Sequence, residues 1–184
     1  MEDVFQKLIL MIRAYYPVLY LHSYEYYRTK QKIKGIVELL RREGKKVNYY
    51  QWDCVYGLVQ ILPDKTEKRI ERMQNPLEVL AYILNSKKSG EKNIFVLDDI
   101  NNHIERDEVK LMFRKIAEAT NNNTHAIILS SIYRLPAELE KYITVLQIPL
   151  PKRNELGEVL DIVAKQSKVE LKTNLRNRLI DAAL

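Results

Sequence analysis

Asn93-Ile94-Phe95-Val96-Leu97-Asp98-Asp99-Ile100-Asn101-Asn102-His103-Ile104 is the stretch that decides how the rest of the chain folds. Residues 94–97 are consecutive, apolar and β-favouring, which suits a strand buried on both faces, and they run directly into two carboxylates. In an open α/β sheet, ligands bind in the crevice beyond the carboxyl ends of the strands. A carboxylate placed there can hold a magnesium ion while its neighbour orients a water. Two adjacent carboxylates at a strand end also make an ordinary loop start or helix cap, so the deciding question is whether a phosphate-binding loop accompanies them.

Working outward, apolar residues recur at helical spacing in Val4, Phe5, Leu8, Ile9, Met11 and Ile12, and Pro17 stops that helix. A short strand is expected at 18–21. The helical period resumes over 25–43 through Ile33, Ile36, Val37 and Leu40, with Gly44 as a left-handed C-terminal residue. Residues 47–52 read as a second strand. Residues 54–64 are mixed and 65–72 strongly charged, which predicts an exposed connection. A helix follows Pro76, carrying Leu77, Val79, Leu80, Ile83 and Leu84 and ending over 86–90.

Beyond the central stretch, Asp107 is expected to cap a helix with Val109, Met112, Phe113, Ile116 and Ala117 on one face, terminated by Asn121-Asn122-Asn123. A strand at 126–129 ends in Ser130-Ser131. A short helix from Pro136 through Leu139 precedes a fifth strand at 143–148, broken by Pro149 and Pro151. Leu156, Val159, Leu160, Ile162 and Val163 predict a further helix after Asn154, and 175–184 reads as the first turns of another that stops without a cap, as a truncated element would. Strands alternating with helices predict an α/β fold, a parallel five-stranded sheet with helices on both faces. An acidic pair after the third strand and hydroxyls after the fourth fit the RecA-like core of P-loop NTPases, residues 1–151, with 152–184 beginning a helical lid.

Composition narrows the class. The chain has 184 residues, 46% apolar and 29% charged, so disorder does not dominate. One cysteine, Cys54, rules out an internal disulfide and fits a reducing compartment. No apolar run reaches the length of a membrane span, and Glu2, Asp3 and Lys7 interrupt what would be a signal peptide, so a cytoplasmic protein with no membrane partner is expected. A net charge of +6 permits a polyanion partner. Its candidate residues are Lys30, Lys34, Arg41 and Lys45, beside the tyrosines Tyr15, Tyr16, Tyr20, Tyr24, Tyr26 and Tyr27, whose faces could stack bases. The plainer readings are a solvated helix face for the former and core or interface packing for the latter. His22, His103 and His125 show no zinc-ligand spacing, and nothing local marks Cys54 as a nucleophile.

Several motifs together resemble a known family. Ile94-Phe-Val-Leu-Asp-Asp looks like the Walker B strand of AAA+ ATPases, Ala126-Ile-Ile-Leu-Ser-Ser lies where their sensor 1 strand ends, and Ile143-Thr-Val-Leu-Gln-Ile-Pro-Leu-Pro matches the approach to their lid. Leu8-Ile-Leu-Met-Ile-Arg-Ala-Tyr-Tyr-Pro-Val-Leu-Tyr-Leu, Tyr24-Glu-Tyr-Tyr-Arg and Leu135-Pro-Ala-Glu-Leu-Glu-Lys-Tyr-Ile-Thr-Val-Leu are similar to the N-terminal half of AAA proteins encoded as conserved open reading frames in cyanobacteria and algal plastids. The resemblance implies a degenerate ATPase-like domain preceding a complete AAA module, in the cytoplasm or, if plastid-encoded, the stroma.

The chemistry departs from that family at its centre. A phosphate loop needs glycines so that backbone N–H groups can wrap the phosphates, a lysine to reach them, and a serine or threonine for magnesium. After the first strand this chain has His22-Ser-Tyr-Glu-Tyr-Tyr-Arg-Thr29, with no glycine before Gly35. Tyrosines there would fill the phosphate space and Glu25 would repel the ligand. Asp99 is one methylene shorter than the usual glutamate, and Glu140-Lys141-Tyr142 stands where an arginine finger would come. The expectation is a catalytically silent AAA-like domain with no catalytic residue and no cofactor, packing against copies of itself or a downstream AAA module, or holding a protein partner. Two alternatives stand beside it. One is an atypical site for ATP and magnesium using Asp98, Asp99 and Ser130, with Asp98 on the metal. The other is a nucleic-acid module using the basic residues.

Overall fold

Helix α1 (Val4–Arg13) buries Phe5, Leu8, Ile9 and Ile12 and ends before Pro17, at a turn where Tyr15 takes a left-handed φ of 63°. This is a computed structural model; it describes residues 4–70, 73–86, 91–119, 123–167 and 169–183. Strand β1 (Val18–His22) leads into α2 (Tyr26–Arg42). Gly44, at φ 79°, closes α2 as its sequence position predicts, with Lys45 N–H donating back to the carbonyl of Leu40 at 3.3 Å. Next come β2 (Val47–Asp53), β3 (Gly57–Ile61), β4 (Glu67–Arg69), α3 (Pro76–Ser86) and β5 (Lys92–Asp98). A 3₁₀ turn (Ile100–His103) precedes α4 (Asp107–Glu118), in which Asp107 is the first helical residue and not the cap; Arg106 holds that position. After β6 (Thr124–Ser130), a 3₁₀ turn (Ala137–Leu139) and β7 (Thr144–Gln147), the chain ends in α5 (Arg153–Gln166) and α6 (Thr173–Ala182).

All five expected strands form, but the sheet has seven, in the order β4-β3-β2-β5-β6-β1-β7. The five-stranded, wholly parallel sheet is therefore corrected. β2, β5, β6, β1 and β7 pair in parallel, while β3 and β4 add an antiparallel edge to β2. The physical reason lies in the edge itself: β4 is Glu67-Lys68-Arg69, fully exposed, and charge on an edge strand blocks pairing with other chains while hiding the strand from a reading of hydrophobicity. The expected helix ends at 87–90 and 121–122, and the terminal Leu184, lie outside the described residues.

Helices cover both faces of the sheet. Leu8 and Ile12 of α1 and Ile33 and Leu40 of α2 pack on Leu19, Leu21, Ile94, Val96, Ile127 and Leu129. On the opposite face Val79, Leu80 and Ile83 of α3 and Val109, Phe113 and Ile116 of α4 meet Val18, Tyr20, Phe95, Leu97, Ala126 and Ile128. Alternate residues of each strand feed the two cores, which is why residues 94–97 are uninterruptedly apolar. From β1 the chain crosses to β2 and then returns through β5 and β6 until it lies beside β1 again. The reversal makes the carboxyl ends of β1, β6 and β5 the natural crevice of the sheet.

Trp52, in β2, is buried beneath the hairpin edge, and its indole N–H donates to the carbonyl of Met73. The chain divides into two compact units, Met1–Ile148 and Pro149–Leu184. Within the second, Arg176 makes two 2.7 Å hydrogen bonds to Asp161, tying α6 to α5, and Arg153 pairs with Asp181.

Candidate functional site

Strand β5 delivers Asp98 to the crevice, and the chain then turns sharply. Asp99 takes φ 52°, ψ 22°, a left-handed conformation that aspartate tolerates better than most residues. Its N–H is held by the carbonyl of Leu129 at 2.9 Å. The turn aims the Asp99 carboxylate at β6 and α2. Oδ1 accepts a hydrogen bond from the Ser130 hydroxyl at 2.7 Å and another from the Tyr26 phenol at 2.5 Å.

Tyr26 is the first residue of α2, and its phenol oxygen also accepts the N–H of Ser131 at 2.9 Å. One side chain from the turn after β1 thus occupies the polar groups at the ends of β5 and β6. Burial pushes the Tyr26 phenol pKa up, and the hydrogen bond to Asp99 adds to the rise.

Asp98 has a different partner. One turn further along α2, on the face that carries Tyr26, the Lys30 ammonium pairs with Asp98 Oδ2. Burial raises the Asp98 pKa; Lys30 pulls against it, and Asp53 and Asp99 push it up further. Oδ1 of Asp98 is buried with no hydrogen-bond partner among the described residues.

The connection from β1 to α2 is three residues long, 23–25. Ser23 is buried; its N–H donates to the Ser130 carbonyl at 2.9 Å and its hydroxyl meets that of Thr29 at 2.8 Å. The Glu25 N–H bonds Ser23 Oγ at 3.1 Å, and the Glu25 carboxylate pairs with Arg28 at 2.7 Å. Of the tyrosines around this turn only Tyr26 enters the crevice. Tyr24 and Tyr27 are exposed, Tyr20 lies buried below with its hydroxyl donating to the Ile132 carbonyl at 2.6 Å, and Tyr15 and Tyr16 precede β1 at the sheet's other end.

Beside the Asp98–Lys30 pair the β2–β3–β4 edge encloses a cleft of about 240 Å³, lined by Gln51, Asp53, Tyr56 and Arg69 as well as the pair itself. Gln51 and Asp53 arrive on β2 beside β5, Tyr56 and Arg69 only through the hairpin, and nothing in their local sequence marks them. The sequence placed Lys30 only among the basic residues of the α2 face; its pairing with a carboxylate 68 positions away was not legible.

The four basic residues of the nucleic-acid alternative are spread along α2 and beyond. Lys30 faces Asp98, Lys34 is half-buried, Arg41 bonds Glu38 at 2.9 Å and the Val47 carbonyl at 3.1 Å, and Lys45 bonds Glu43 at 3.3 Å. Lys30 and Arg41 alone are separated by about 16 Å of helix. Among the described residues no three histidine, cysteine or acidic side chains are grouped to hold a metal, and no described helix is long and apolar enough to cross a membrane.

Comparison with known proteins identifies the family. The family described as the SpoVK-like AAA ATPase, N-terminal domain, matches residues 4–148. The uncharacterized AAA domain-containing protein ycf46 of Guillardia theta is 26% identical over 176 residues, 95% of this chain and 33% of that protein. The ycf46 protein of Pyropia yezoensis is 25% identical over 175 residues, again 95% of this chain and 34% of its own length. The chain thus spans about a third of these relatives. Among solved structures, a chain of the E. coli MS115-1 HORMA:CdnC:Trip13 complex superposes with a TM-score of 0.63 over 97% of this chain and 68% of its own, at 11% identity, a likeness of fold alone.

Proposed function

Since the chain belongs to the SpoVK-like AAA ATPase N-terminal domain family, we propose that it is a RecA-like domain that has lost nucleotide chemistry and works by packing against protein, either another copy of itself or a downstream AAA module. One observation carries the reading: Tyr26 bonds Asp99 and the Ser131 N–H, filling the polar crevice that a triphosphate would need. The short connection between β1 and α2 supports it, because a loop that cradles phosphates needs free N–H groups, and Ser23 and Glu25 have spent theirs. Lys30, held by Asp98, is withdrawn from the role a phosphate-binding lysine plays. The residues present do not fit ATP and magnesium.

What favours a protein partner is the rim of the same crevice. Tyr24, Tyr27, Ile132 and Tyr133 are exposed, and the rings of Tyr24 and Tyr133 approach His22 with centroids 5.3 and 6.4 Å away. Clustered exposed aromatics mark interaction surfaces more often than catalytic ones. The HORMA:CdnC:Trip13 neighbour comes from a protein assembly, which accords with this use of the fold. Residues 152–184 are read as the start of a helical lid, and any hydrolysis by a longer parent protein belongs to its other modules. The compartment that goes with the reading is cytoplasm or plastid stroma.

Isothermal titration of the chain with ATP and magnesium tests the proposal. No saturable binding at the crevice is expected at millimolar nucleotide; micromolar binding that shifts the backbone amides of Tyr26, Lys30, Asp98 and Asp99 overturns it. The unpartnered Asp98 Oδ1 is the one observation favouring an atypical nucleotide site. That site requires Asp98→Ala to abolish binding, and an unchanged titration in the variant removes it.

A further inference from the structure

At the opposite, amino end of the sheet lies a second feature, independent of the crevice. A cavity of about 320 Å³ opens between the end of α1, the turn from α2 to β2 and the start of β5, and Arg13, Tyr15, Lys45, Lys46, Glu91 and Lys92 line it. Lys92 is only 8% exposed although it carries an ammonium. Its Nζ contacts the Ile12 carbonyl at 3.3 Å and His125 Nε2 at 3.0 Å, and lies 4.9 Å from the centre of the Tyr15 ring.

His125 is fully buried, and its Nδ1 lies 2.7 Å from the Tyr16 carbonyl. A carbonyl only accepts, so Nδ1 carries the proton and Nε2 is the acceptor for Lys92. Tyr15 holds its ring over Lys92 from a left-handed backbone conformation that costs a bulky residue about 1–2 kcal/mol.

The cations around this cavity, Arg13, Lys45, Lys46 and Lys92, outnumber the two carboxylates, Glu43 and Glu91. Glu43 pairs with Arg13 and, at 3.3 Å, with Lys45. Among the described residues, neither Lys46 nor Lys92 has a carboxylate within ion-pair distance. Burial, with a smaller push from Lys45, lowers the Lys92 pKa to about 8, so at neutral pH the ammonium persists in a site that disfavours it.

Nearby cations of one sign, held in a concave space with one buried among them, are stabilised by an anion that they share. We propose that this cavity binds a small, multiply charged anion of the phosphate class, with Lys46 and Lys92 as its principal cationic contacts. The volume is at the small end of ligand pockets and suits a pyrophosphate or a phosphorylated metabolite rather than a polymer.

The test is titration of inorganic pyrophosphate into the 184-residue chain, followed by calorimetry and by backbone amide shifts. Saturable binding is expected, with shifts centred on Arg13, Tyr15, Lys46 and Lys92. Lys46→Glu should weaken it at least about tenfold, whereas Lys34→Glu, the same charge change outside the cavity, should weaken it less than about threefold. Lys92→Met, which keeps the buried chain length without the charge, should also lose about tenfold in affinity. Equal losses in Lys46→Glu and Lys34→Glu would mean diffuse attraction and overturn the site. So would shifts centred on Lys30 and Asp98, or no saturation at all.

Discussion

Tyr26 sits where three strand ends meet, and its phenol oxygen serves both the Asp99 carboxylate and the Ser131 N–H. Removing that oxygen leaves a part-buried donor without its acceptor, a loss of about 1–3 kcal/mol. Tyr26→Phe should therefore lower the urea midpoint by a corresponding amount with an unchanged slope, and an unaltered midpoint would show that water replaces the phenol. Lys30 acts on the neighbouring carboxylate. Because the Asp98 pKa is raised on folding, the native state holds that proton more tightly than the unfolded chain. This carboxyl adds stability below its ordinary value of 3.8 and loses it as pH climbs through the folded value. Lys30→Met removes the one nearby charge that pulls the value down, so the Asp98 titration followed by carboxyl-carbon NMR should move higher still. A midpoint that stays put would mean that the ion pair does not form in solution.

Among the elements, the antiparallel edge was the least legible. Gly57-Leu58-Val59-Gln60-Ile61 shows no strict alternation, so it reads with the rest of 54–64 as mixed and with the charged 65–72 as connection, and its partner strand is Glu-Lys-Arg. Only β2, itself placed by β5, makes that edge worth forming. By contrast β1, β5 and β6 were legible because burial on both faces of the sheet demands unbroken apolar residues, and β2 and β7 from shorter β-favouring runs. Asp98, Asp99 and Ser130 were legible as strand ends, whereas Lys30 and Tyr26 as their partners were not, since that contact depends on where α2 lies across the sheet.

The hairpin makes a sharp prediction at its entry. Gly57 has φ 75°, and a Cβ there would meet backbone atoms of Met73 at 3.2 Å. Gly57→Ala is strained in both respects and should cost more than about 1 kcal/mol in thermal or urea unfolding. At the amino end of β5, Lys92 sets a pH dependence. The unfolded lysine titrates near 10.5 and the folded one near 8, so between these values the unfolded state binds more protons. Stability attributable to Lys92 should rise from pH 8 to 10.5, against Arg13, Lys45, Lys46, Glu91, Tyr15 and His125 around it. Lys92→Met should flatten that rise in a denaturation series.

For the molecule as a whole, both apolar layers lie within residues 5–148. A chain ending at Ile148 should therefore keep a single cooperative thermal transition, and a broad, non-cooperative melt would show that the first unit needs more than its own core. The burial of Trp52 has a practical corollary. It is the chain's sole tryptophan, anchored to Met73 under the hairpin edge. Its emission is accordingly a built-in optical gauge of that edge: a red shift at denaturant levels too low to melt the helical signal in circular dichroism would reveal the hairpin peeling away first, without any label attached.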